Sequence, residues 1–431
     1  MAAFVIGIGI GTALLSLPIA AQSGDSPPLV IAVFTATSAL CVTGLVVVDT
    51  ATYWTTFGHV VILVLIQVGG LGIMTMASAL VLVVSRRLGL RTRLTAQAQT
   101  GAVDLGDVRR LLLGAVIISA TLEGVIALVL TWRYWTAYDQ SLAQSLYDGF
   151  FHAISAFNNA GFMLYSDGWM RFAEDPVMSL TVVFGVVAGS LGFPVLFELR
   201  RELLRPRAWS IHTKLTLGTS GLLLAAGTLA ITLIEWNNAQ TLGRLSFEGK
   251  LLAGFFQGAM PRSGGFNTVD YSEMEEASWL ITDVLMFIGG GSAGTGGGIK
   301  VTTFAVLGLM IVAEARGTPS VNVFNRRVPS VVQRQAVSVA LLGVAAVMLP
   351  SIAMLLMTDL ELDRALFEVI SAAGTVGLST GVTPDLPAPA QYLLVALMLL
   401  GRIGPITLAS ALALRQTLQL YRLPEERPIV G

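Results

Sequence analysis

One short sequence pattern occurs four times in this 431-residue chain and constrains its fold more than any other feature. In each copy a phenylalanine stands ten residues before a glycine, and a small residue lies four positions after the phenylalanine. The pairs are Phe34 and Gly44, Phe151 and Gly161, Phe255 and Gly265, and Phe367 and Gly377. Because the glycines are 117, 104 and 112 residues apart, we expect four copies of one structural module.

The repeat divides the chain into four predicted units of similar length: 1–90, 91–205, 206–320 and 321–431. In each unit a short apolar segment precedes the glycine, and longer apolar segments lie on either side. Irregular backbone at membrane depth is tolerated where protein buries it or where it lines a polar path. We therefore predict four repeats of helix, pore loop and helix around one central pore.

Composition indicates a polytopic, all-α membrane protein. Hydrophobic residues make up 54% of the sequence and charged residues 12%, whereas about 25% of the residues in a soluble domain are charged. Segments of about 20 apolar residues are long enough to span a bilayer. Eight transmembrane helices are predicted, at 2–21, 57–84, 108–132, 176–199, 212–235, 278–312, 334–357 and 390–418.

The basic residues predict the orientation. Most Lys and Arg residues lie between alternate spans or after the last one, within 86–110, 200–214, 316–334 and 415–427. By the positive-inside rule these segments face the cytoplasm, which places both termini there and the protein in the cell membrane. The opposite connections hold the four glycine loops and carry most of the acidic residues, among them Asp148 and Asp175, which would concentrate cations at the outer mouth. Each acidic residue alone is also compatible with an ordinary solvated loop.

The glycines mark the predicted ion site. A cation that leaves water needs oxygens in place of its hydration shell, and backbone carbonyls supply them without binding too tightly. Glycine permits the conformations that aim carbonyls inward. The predicted filter residues are Val42, Thr43, Gly44, Asn159, Ala160, Gly161, Ser263, Gly264, Gly265, Thr375, Val376 and Gly377, and the predicted ligands are the carbonyls of Thr43, Ala160, Gly264 and Val376.

A second glycine pattern lies in the later helix of each unit. Three short copies, at 69–72, 189–192 and 401–404, suit close packing of helices. The third unit instead has an expanded copy at 289–300, which contains too many glycines for a regular helix and predicts a flexible obstruction in the pore, one half-span below the filter. The predicted gate residues are Gly290, Gly291, Ser292, Ala293, Gly294, Thr295, Gly296, Gly297, Gly298 and Lys300, together with the intramembrane Arg402.

Other functional classes are less compatible with the sequence. The expanded copy lacks the Gly-Lys-Ser/Thr ending of a phosphate-binding loop, and the net charge of −1 gives no indication of a nucleic-acid partner. The single cysteine, Cys41, excludes an internal disulfide, and the three histidines lack metal-ligand spacing. No grouping of residues suits a membrane enzyme. A substrate or sodium symporter with broken helices remains the alternative, although such proteins usually have two related halves.

The four glycine loops, the 289–300 segment and the sequence Gly401-Arg402-Ile403-Gly404-Pro405 resemble the Trk/Ktr/HKT superfamily of potassium transporters, most closely membrane subunits of the KtrB type. The resemblance extends over essentially the whole chain. It implies potassium uptake, with sodium dependence in some members, K⁺ at the filter carbonyls and no covalently bound cofactor. It also implies a homodimer with one pore per subunit and a separate cytosolic, nucleotide-binding RCK ring of the KtrA type. The basic loops additionally favour contact with anionic membrane lipid.

Overall fold

The computed structural model describes the backbone of residues 2–87 and 105–414 and the side chains of residues 3–72 and 113–403. This part of the chain is mainly helical, with one short hairpin of β1 Asn322–Val323 and β2 Arg326–Arg327. The helices are α1 Ala2–Leu15, α2 Leu29–Leu40, α3 Thr50–Tyr53, α4 Thr56–Arg87, α5 Leu105–Ala137, α6 Leu142–Phe157, α7 Pro176–Leu191, α8 Phe193–Glu202, α9 Ile211–Glu235, α10 Phe247–Ala259, α11 Glu276–Ile288, α12 Val301–Ala315, α13 Ser330–Met357, α14 Leu362–Ala373 and α15 Ala388–Leu414.

Each predicted span coincides with a helix or a pair of helices, but two differ from expectation. The first is shorter than predicted, because α1 ends at Leu15 and a 3₁₀ turn follows at Pro18–Ala20. The fourth is not continuous: α7 and α8 meet at 103° across Gly192, whose φ is +91°. Pro194 in the first turn of α8 could not continue the preceding helix, since it lacks an N–H and its ring clashes with the previous turn. The sixth is broken between Ile288 and Val301, as its glycines predict.

The described part of the chain contains three helices long and apolar enough to cross a membrane alone, namely Leu113–Ala137, Ile211–Glu235 and Ser330–Met357. A fourth crossing results if α7 and α8 count as one bent span. Several other helices are apolar but shorter within the described side chains, among them Ala3–Leu15 and Val301–Ala315. Side chains exposed on these helices are largely apolar, as lipid contact requires.

Four short helices end directly before the repeated glycines, as predicted. These are α2, α6, α10 and α14, which we call the pore helices. The repeat phenylalanines Phe34, Phe151 and Phe367 are fully buried on them. The third repeat departs from this arrangement, because Phe256 is fully buried there while Phe255 is only half-buried. The pore helices therefore lie inside the protein, surrounded by the longer helices.

Candidate ion pathway

The chain makes a left-handed turn at each repeated glycine. The φ angles are +92° at Gly44, +68° at Gly161, +70° at Gly265 and +91° at Gly377. A side chain is strained in this region, whereas glycine adopts it at no steric cost. The four glycines predicted from their spacing thus share one backbone conformation.

A second left-handed residue stands two positions before each glycine. The φ angles are +54° at Val42, +61° at Asn159, +87° at Ser263 and +48° at Thr375. For the β-branched Val42 and Thr375 this conformation is costly, on the order of 1–3 kcal/mol each. Strain of this kind is found mainly at functional sites that the surrounding structure holds rigidly. Sequence spacing did not reveal it, because these residues have no side-chain type in common.

The four loops meet in a closed ring in chain order. A Cβ added to Gly44 would lie 3.1 Å from Cα of Gly161, and one added to Gly161 would lie 2.8 Å from Cα of Gly265. A Cβ on Gly265 would lie 2.7 Å from the carbonyl oxygen of Val376, and one on Gly377 would lie 2.9 Å from Cα of Gly44. Backbone therefore faces backbone at every junction, with no room for a side chain.

The predicted ligand carbonyls lie at or beside this ring. The Val376 oxygen faces Gly265, the Thr43 oxygen faces Gly377 and the Ala160 oxygen faces Gly44. The fourth predicted ligand is the Gly264 carbonyl. A Cβ added to Gly264 would lie 2.6 Å from Sδ of Met260 and 2.9 Å from Cγ1 of Val186. The structure brings the twelve predicted filter residues together as four short loops at one place.

A serine on three of the pore helices binds the loop that follows. The hydroxyls of Ser38 and Ser155 donate to the carbonyl oxygens of Leu45 (2.7 Å) and Phe162 (2.8 Å). The hydroxyl of Ser371 accepts from the Gly377 N–H at 3.1 Å. These are the small residues of the repeat, so this pattern reflects a hydrogen-bonding role as well as size.

The third repeat has Ala259 at the serine position and is held differently. Its pore helix continues into a 3₁₀ turn at Met260–Arg262, and the Gly264 N–H bonds to the Met260 carbonyl at 2.7 Å. The Ser263 hydroxyl donates across to the Thr375 carbonyl in the fourth loop, at 2.8 Å. The buried Arg262 fastens this turn to α9 by two hydrogen bonds to Ser220, at 2.8 and 2.7 Å.

The glycine-rich segment between α11 and α12 lies against the end of α7. The Gly291 N–H donates to the Ser190 carbonyl at 2.7 Å, and the Thr295 N–H donates to the Gly189 carbonyl at 3.2 Å. Gly192 abuts the Ser292 carbonyl at the bend into α8. The copy at 189–192, interpreted from sequence as a helix-packing site, therefore also ends its helix and contacts this segment.

The same segment contacts three of the four loops. The Gly297 N–H donates to the Ser263 hydroxyl at 3.1 Å, and the Thr295 hydroxyl donates to Oδ1 of Asn159 at 3.2 Å. A Cβ on Gly297 would lie 2.5 Å from Oγ1 of Thr375. The predicted gate thus lies directly against the predicted filter, closer than the half-span separation expected from sequence.

Two basic side chains bind the carbonyls of this segment. Arg402, which is 3% exposed, donates through Nη1 to the Thr295 carbonyl. The Lys300 ammonium donates to the carbonyls of Gly296 and Gly297, the latter at 3.3 Å. Lys300 therefore binds the segment that directly precedes it. The hydroxyl of Ser292 bonds to the hydroxyl of Thr302 at 3.0 Å. Arg402 contacts the segment at Thr295.

Glycines in the later helices let those helices approach the ends of the pore helices. Gly69 abuts the Leu40 carbonyl, Gly189 the Phe157 carbonyl and Gly401 the Ala373 carbonyl. These carbonyls stand at equivalent positions, six residues after each repeat phenylalanine. The three short glycine copies thus have a shared role that general helix packing did not specify.

A buried polar network missed by the sequence argument fixes the second pore helix. The Asn158 amide donates to Oε1 of Gln67 and Oε1 of Glu123, both at 3.0 Å, and the Gln67 amide donates to Glu123 at 3.2 Å. Asn158 caps α6, whereas Gln67 and Glu123 lie on α4 and α5. The network therefore joins the first two repeats beside the second loop.

Two acidic residues assigned to the outer mouth are instead internal. Asp148 is buried and bonds to Tyr165, Gln144 and Gln140 at 2.7, 2.8 and 3.2 Å. Asp175 is buried, caps α7 and forms an ion pair with Arg133 at 2.8 Å. Within the described residues, no group of three or more His, Cys, Asp or Glu side chains is placed to bind a metal ion.

Comparison with known proteins identifies the family. The sequence matches the family model TrkH, described as a cation transport protein, from residue 4 to residue 417. The chain belongs to the TrkH family of cation transport proteins. Relatives within this family are transport proteins and not enzymes.

Two relatives in the TrkH family are each named Ktr system potassium uptake protein B. The Bacillus subtilis protein is 39% identical over 412 residues, covering 95% of this chain and 91% of its own. The Vibrio alginolyticus protein is also 39% identical, over 422 residues, covering 97% of this chain and 91% of its own. The potassium/sodium uptake protein NtpJ of Enterococcus hirae is 31% identical over 439 residues, covering 100% of this chain and 96% of its own.

A solved structure has the same overall fold. The potassium transporter TrkH from Vibrio parahaemolyticus superposes with a TM-score of 0.72, covering 97% of this chain and 86% of its own, at 19% sequence identity. The resemblance to the superfamily drawn from the glycine loops is thereby confirmed at the level of family and fold.

Proposed function

We propose that this chain carries potassium ions into the cell through a selectivity filter formed by its four glycine loops. The observation that carries the proposal is the closed ring of Gly44, Gly161, Gly265 and Gly377, in which neighbouring loops contact each other through backbone alone. Neutral carbonyl oxygens in such a ring replace the hydration shell of K⁺ and still release the ion. The relatives named for potassium uptake support the choice of ion.

The ions at the filter are held by the carbonyls of Thr43, Ala160, Gly264 and Val376. The pore helices end beside these carbonyls, with caps at Cys41, Asn158, Met260 and Gly374. The negative ends of four helix dipoles therefore lie near the bound cation.

The chain crosses the cytoplasmic membrane eight times, as four repeats of helix, pore loop and helix, with both termini in the cytoplasm. Support comes from the match between each predicted span and a helix or helix pair. The basic residues on alternate connections support the orientation.

The glycine-rich segment gates this path. It contacts the second, third and fourth loops, and Arg402 and Lys300 bind its carbonyls. Glycines make the segment inexpensive to rearrange, so a regulator need only bias two arrangements that differ by a few kcal/mol.

The regulator is a cytosolic nucleotide-binding ring that acts on a homodimer of this chain. Support comes from the relatives, which are named as proteins of a Ktr system, and from the β1–β2 hairpin, whose Arg326 and Arg327 are exposed. Anionic lipid is the competing partner for these charges.

Rubidium uptake in a bacterium that lacks its own potassium uptake systems tests the proposal. Cells with the chain should accumulate rubidium, and potassium should compete far better than sodium; the comparison with and without external sodium measures coupling. Uptake of an organic solute with sodium, and none of rubidium, would favour the symporter with broken helices instead. A Gly377→Ser variant serves as the control that the flux passes through the ring.

A further inference from the structure

Two pore helices carry a side chain that holds the chain leaving the loop. The Nε2 atom of His152 accepts from the Leu164 N–H at 3.1 Å, and Oε1 of Glu368 accepts from the Thr380 N–H at 2.9 Å. Both acceptors directly follow the repeat phenylalanine, and both donors stand twelve residues later. The two contacts are therefore the same contact in the second and fourth repeats.

In the third repeat the acceptor is Gln257, which stands two residues after the repeat phenylalanine Phe255 and not directly after it. With the Gln257 amide oriented to satisfy its neighbours, its oxygen accepts from the N–H groups of Thr268 (2.9 Å) and Val269 (3.1 Å). Its nitrogen then donates to the Tyr271 hydroxyl at 2.6 Å. The orientation of an amide is assigned from its partners. In this orientation the Gln257 nitrogen faces an acceptor and its oxygen faces donors.

The three side chains share hydrogen-bond acceptance and not charge. Nδ1 of His152 lies 2.7 Å from the Asp148 carbonyl and must donate to it, so that Nε2 is the acceptor of a neutral ring. Gln257 is neutral as well. Glu368 is fully buried and also accepts from the hydroxyls of Ser379 (2.7 Å) and Thr383 (2.6 Å). A carboxylate, an amide and an imidazole thus perform one task.

This contact gives the second, third and fourth loops a support beyond the repeated glycine. In the fourth repeat, Ser371 binds the N–H of Gly377 and Glu368 binds the N–H of Thr380, three residues beyond. Both anchors lie on the same pore helix, one turn apart. Without the outer anchor, buried donors would lose their partner at about 1–3 kcal/mol each, and the loop would be free to shift.

We infer that His152, Gln257 and Glu368 are positioning residues that set the ion selectivity of the pathway. They do so by fixing the chain that leaves the second, third and fourth loops to the pore helix that precedes each of them. The inference rests on the proposed function, because it concerns the filter named there. A carbonyl ring that can relax by a fraction of an ångström admits a second cation more readily, so the supporting residues determine discrimination.

Two substitutions of Glu368 separate acceptance from charge. Glu368→Gln keeps an oxygen for the Thr380 N–H, and the neighbouring hydroxyls can rotate to suit the amide. Glu368→Ala removes every acceptor. The measurement is competition of sodium with rubidium uptake in intact cells, normalised to the amount of inserted protein.

Glu235 offers a matched control. It is also fully buried and accepts from a backbone N–H, that of Glu275 (2.9 Å), and from the Thr241 hydroxyl (2.6 Å). It lies at the end of α9 and ties the α9–α10 connection to the start of α11, ten residues beyond Gly265 and outside the ring. Glu235→Ala should lower the amount of folded protein and leave the selectivity of the remainder unchanged.

We expect Glu368→Gln to retain wild-type selectivity and Glu368→Ala to lose roughly tenfold in the preference for rubidium over sodium. Equal loss in both variants would assign the effect to charge and overturn the inference. So would wild-type selectivity in Glu368→Ala, or an equal loss in Glu235→Ala.

The pair His152→Gln and His152→Leu repeats the test if Glu368→Ala does not insert; the glutamine should retain selectivity and the leucine should lose it. Equal selectivity in these two variants would contradict the inference. Absence of rubidium uptake by the wild-type chain would instead contradict the proposed function.

Discussion

The guanidinium of Arg402 donates a hydrogen bond to the carbonyl oxygen of Thr295. Arg402 lies on α15, and Thr295 lies in the middle of the glycine-rich segment. The hydroxyl of Thr295 donates in turn to Oδ1 of Asn159, in the second loop. A short chain of contacts therefore joins a long helix, the segment and the ring.

Replacing Arg402 by methionine should raise potassium flux and reduce its dependence on the proposed cytosolic ring. Methionine is flexible and apolar but cannot donate to Thr295, so the segment loses its anchor. Rubidium uptake with and without the partner measures the effect. Arg364→Met is the control, since Arg364 packs over the ring of Trp279 and not against the segment. Unchanged partner dependence in Arg402→Met would exclude this anchor from gating.

Removing residues 292–296 should also raise flux and weaken regulation, with ion selectivity retained. The deletion removes Thr295 and its contacts with Arg402 and Asn159, while Gly297 still faces Ser263. Flux is measured on protein shown to be inserted in the membrane. If the segment serves only to pack helices, the variant will be misfolded or inactive; wild-type flux with full partner dependence would exclude a gating role.

Gly377→Ser should reduce discrimination between potassium and sodium by roughly tenfold or more. The new Cβ would lie 2.9 Å from Cα of Gly44 and would abut the Thr43 carbonyl, so that the ring must widen. Gly44→Ser should act similarly, because its Cβ would abut the Ala160 carbonyl. Competition between sodium and rubidium uptake measures both variants.

Gly381→Ser is the matched control for these two variants. Gly381 also has a positive φ, +86°, yet a Cβ there would meet only Ser272 at 3.9 Å. It therefore reproduces the backbone strain without a clash inside the ring. Equal loss of selectivity in Gly381→Ser and Gly377→Ser would mean that strain alone, and not the ring, determines the result.

Glu123→Ala should destabilise the protein by about 1–3 kcal/mol, because it leaves the amides of Gln67 and Asn158 without their buried acceptor. Glu123→Gln should cost less, since its oxygen can still accept from Asn158. The thermal unfolding midpoint of purified protein in detergent gives the comparison. A smaller loss for alanine than for glutamine would show that the buried charge, and not the missing acceptor, limits stability at this site.

Neutralising Arg326 and Arg327 to glutamine should weaken binding of the proposed cytosolic ring and reduce the flux that this ring would regulate, while insertion stays normal. Both side chains are exposed on the β1–β2 hairpin. Pull-down of the ring with solubilised chain measures binding. Arg205→Gln with Arg207→Gln changes an equal number of exposed charges in another basic connection. If ring binding persists when the hairpin is neutralised, its charges serve lipid contact instead.

The sequence alone predicted the pore helices, the glycine loops and the broken sixth span, because each depends on local patterns. Phe34 and Gly44 lie within one short segment, and the run of glycines at 289–298 is incompatible with a helix wherever it lies. It did not predict the left-handed Val42 and Thr375, since β-branched residues disfavour that conformation locally. Their φ angles are explained only by the packing of the loops around them.

Contacts between distant residues were also missed. Glu123 meets partners 56 and 35 residues away, so no window of sequence contains the network. The same limit made Asp148 and Asp175 resemble solvated loop charges, although both are internal. The bend at Gly192 was not anticipated because its tetrapeptide matches two copies that remain helical.

The third loop is the one that departs from the repeat, with Ala259 in place of serine and Ser263 bonded both to the fourth loop and to the N–H of Gly297. In an assembly of four identical chains such a departure would appear in every quadrant or in none. A single chain that contains all four loops can keep three of them alike and let one make additional contacts, through which a regulator can act. In the proposed filter, the third loop can therefore carry the regulatory contact while the carbonyl ring keeps the same backbone on all four sides.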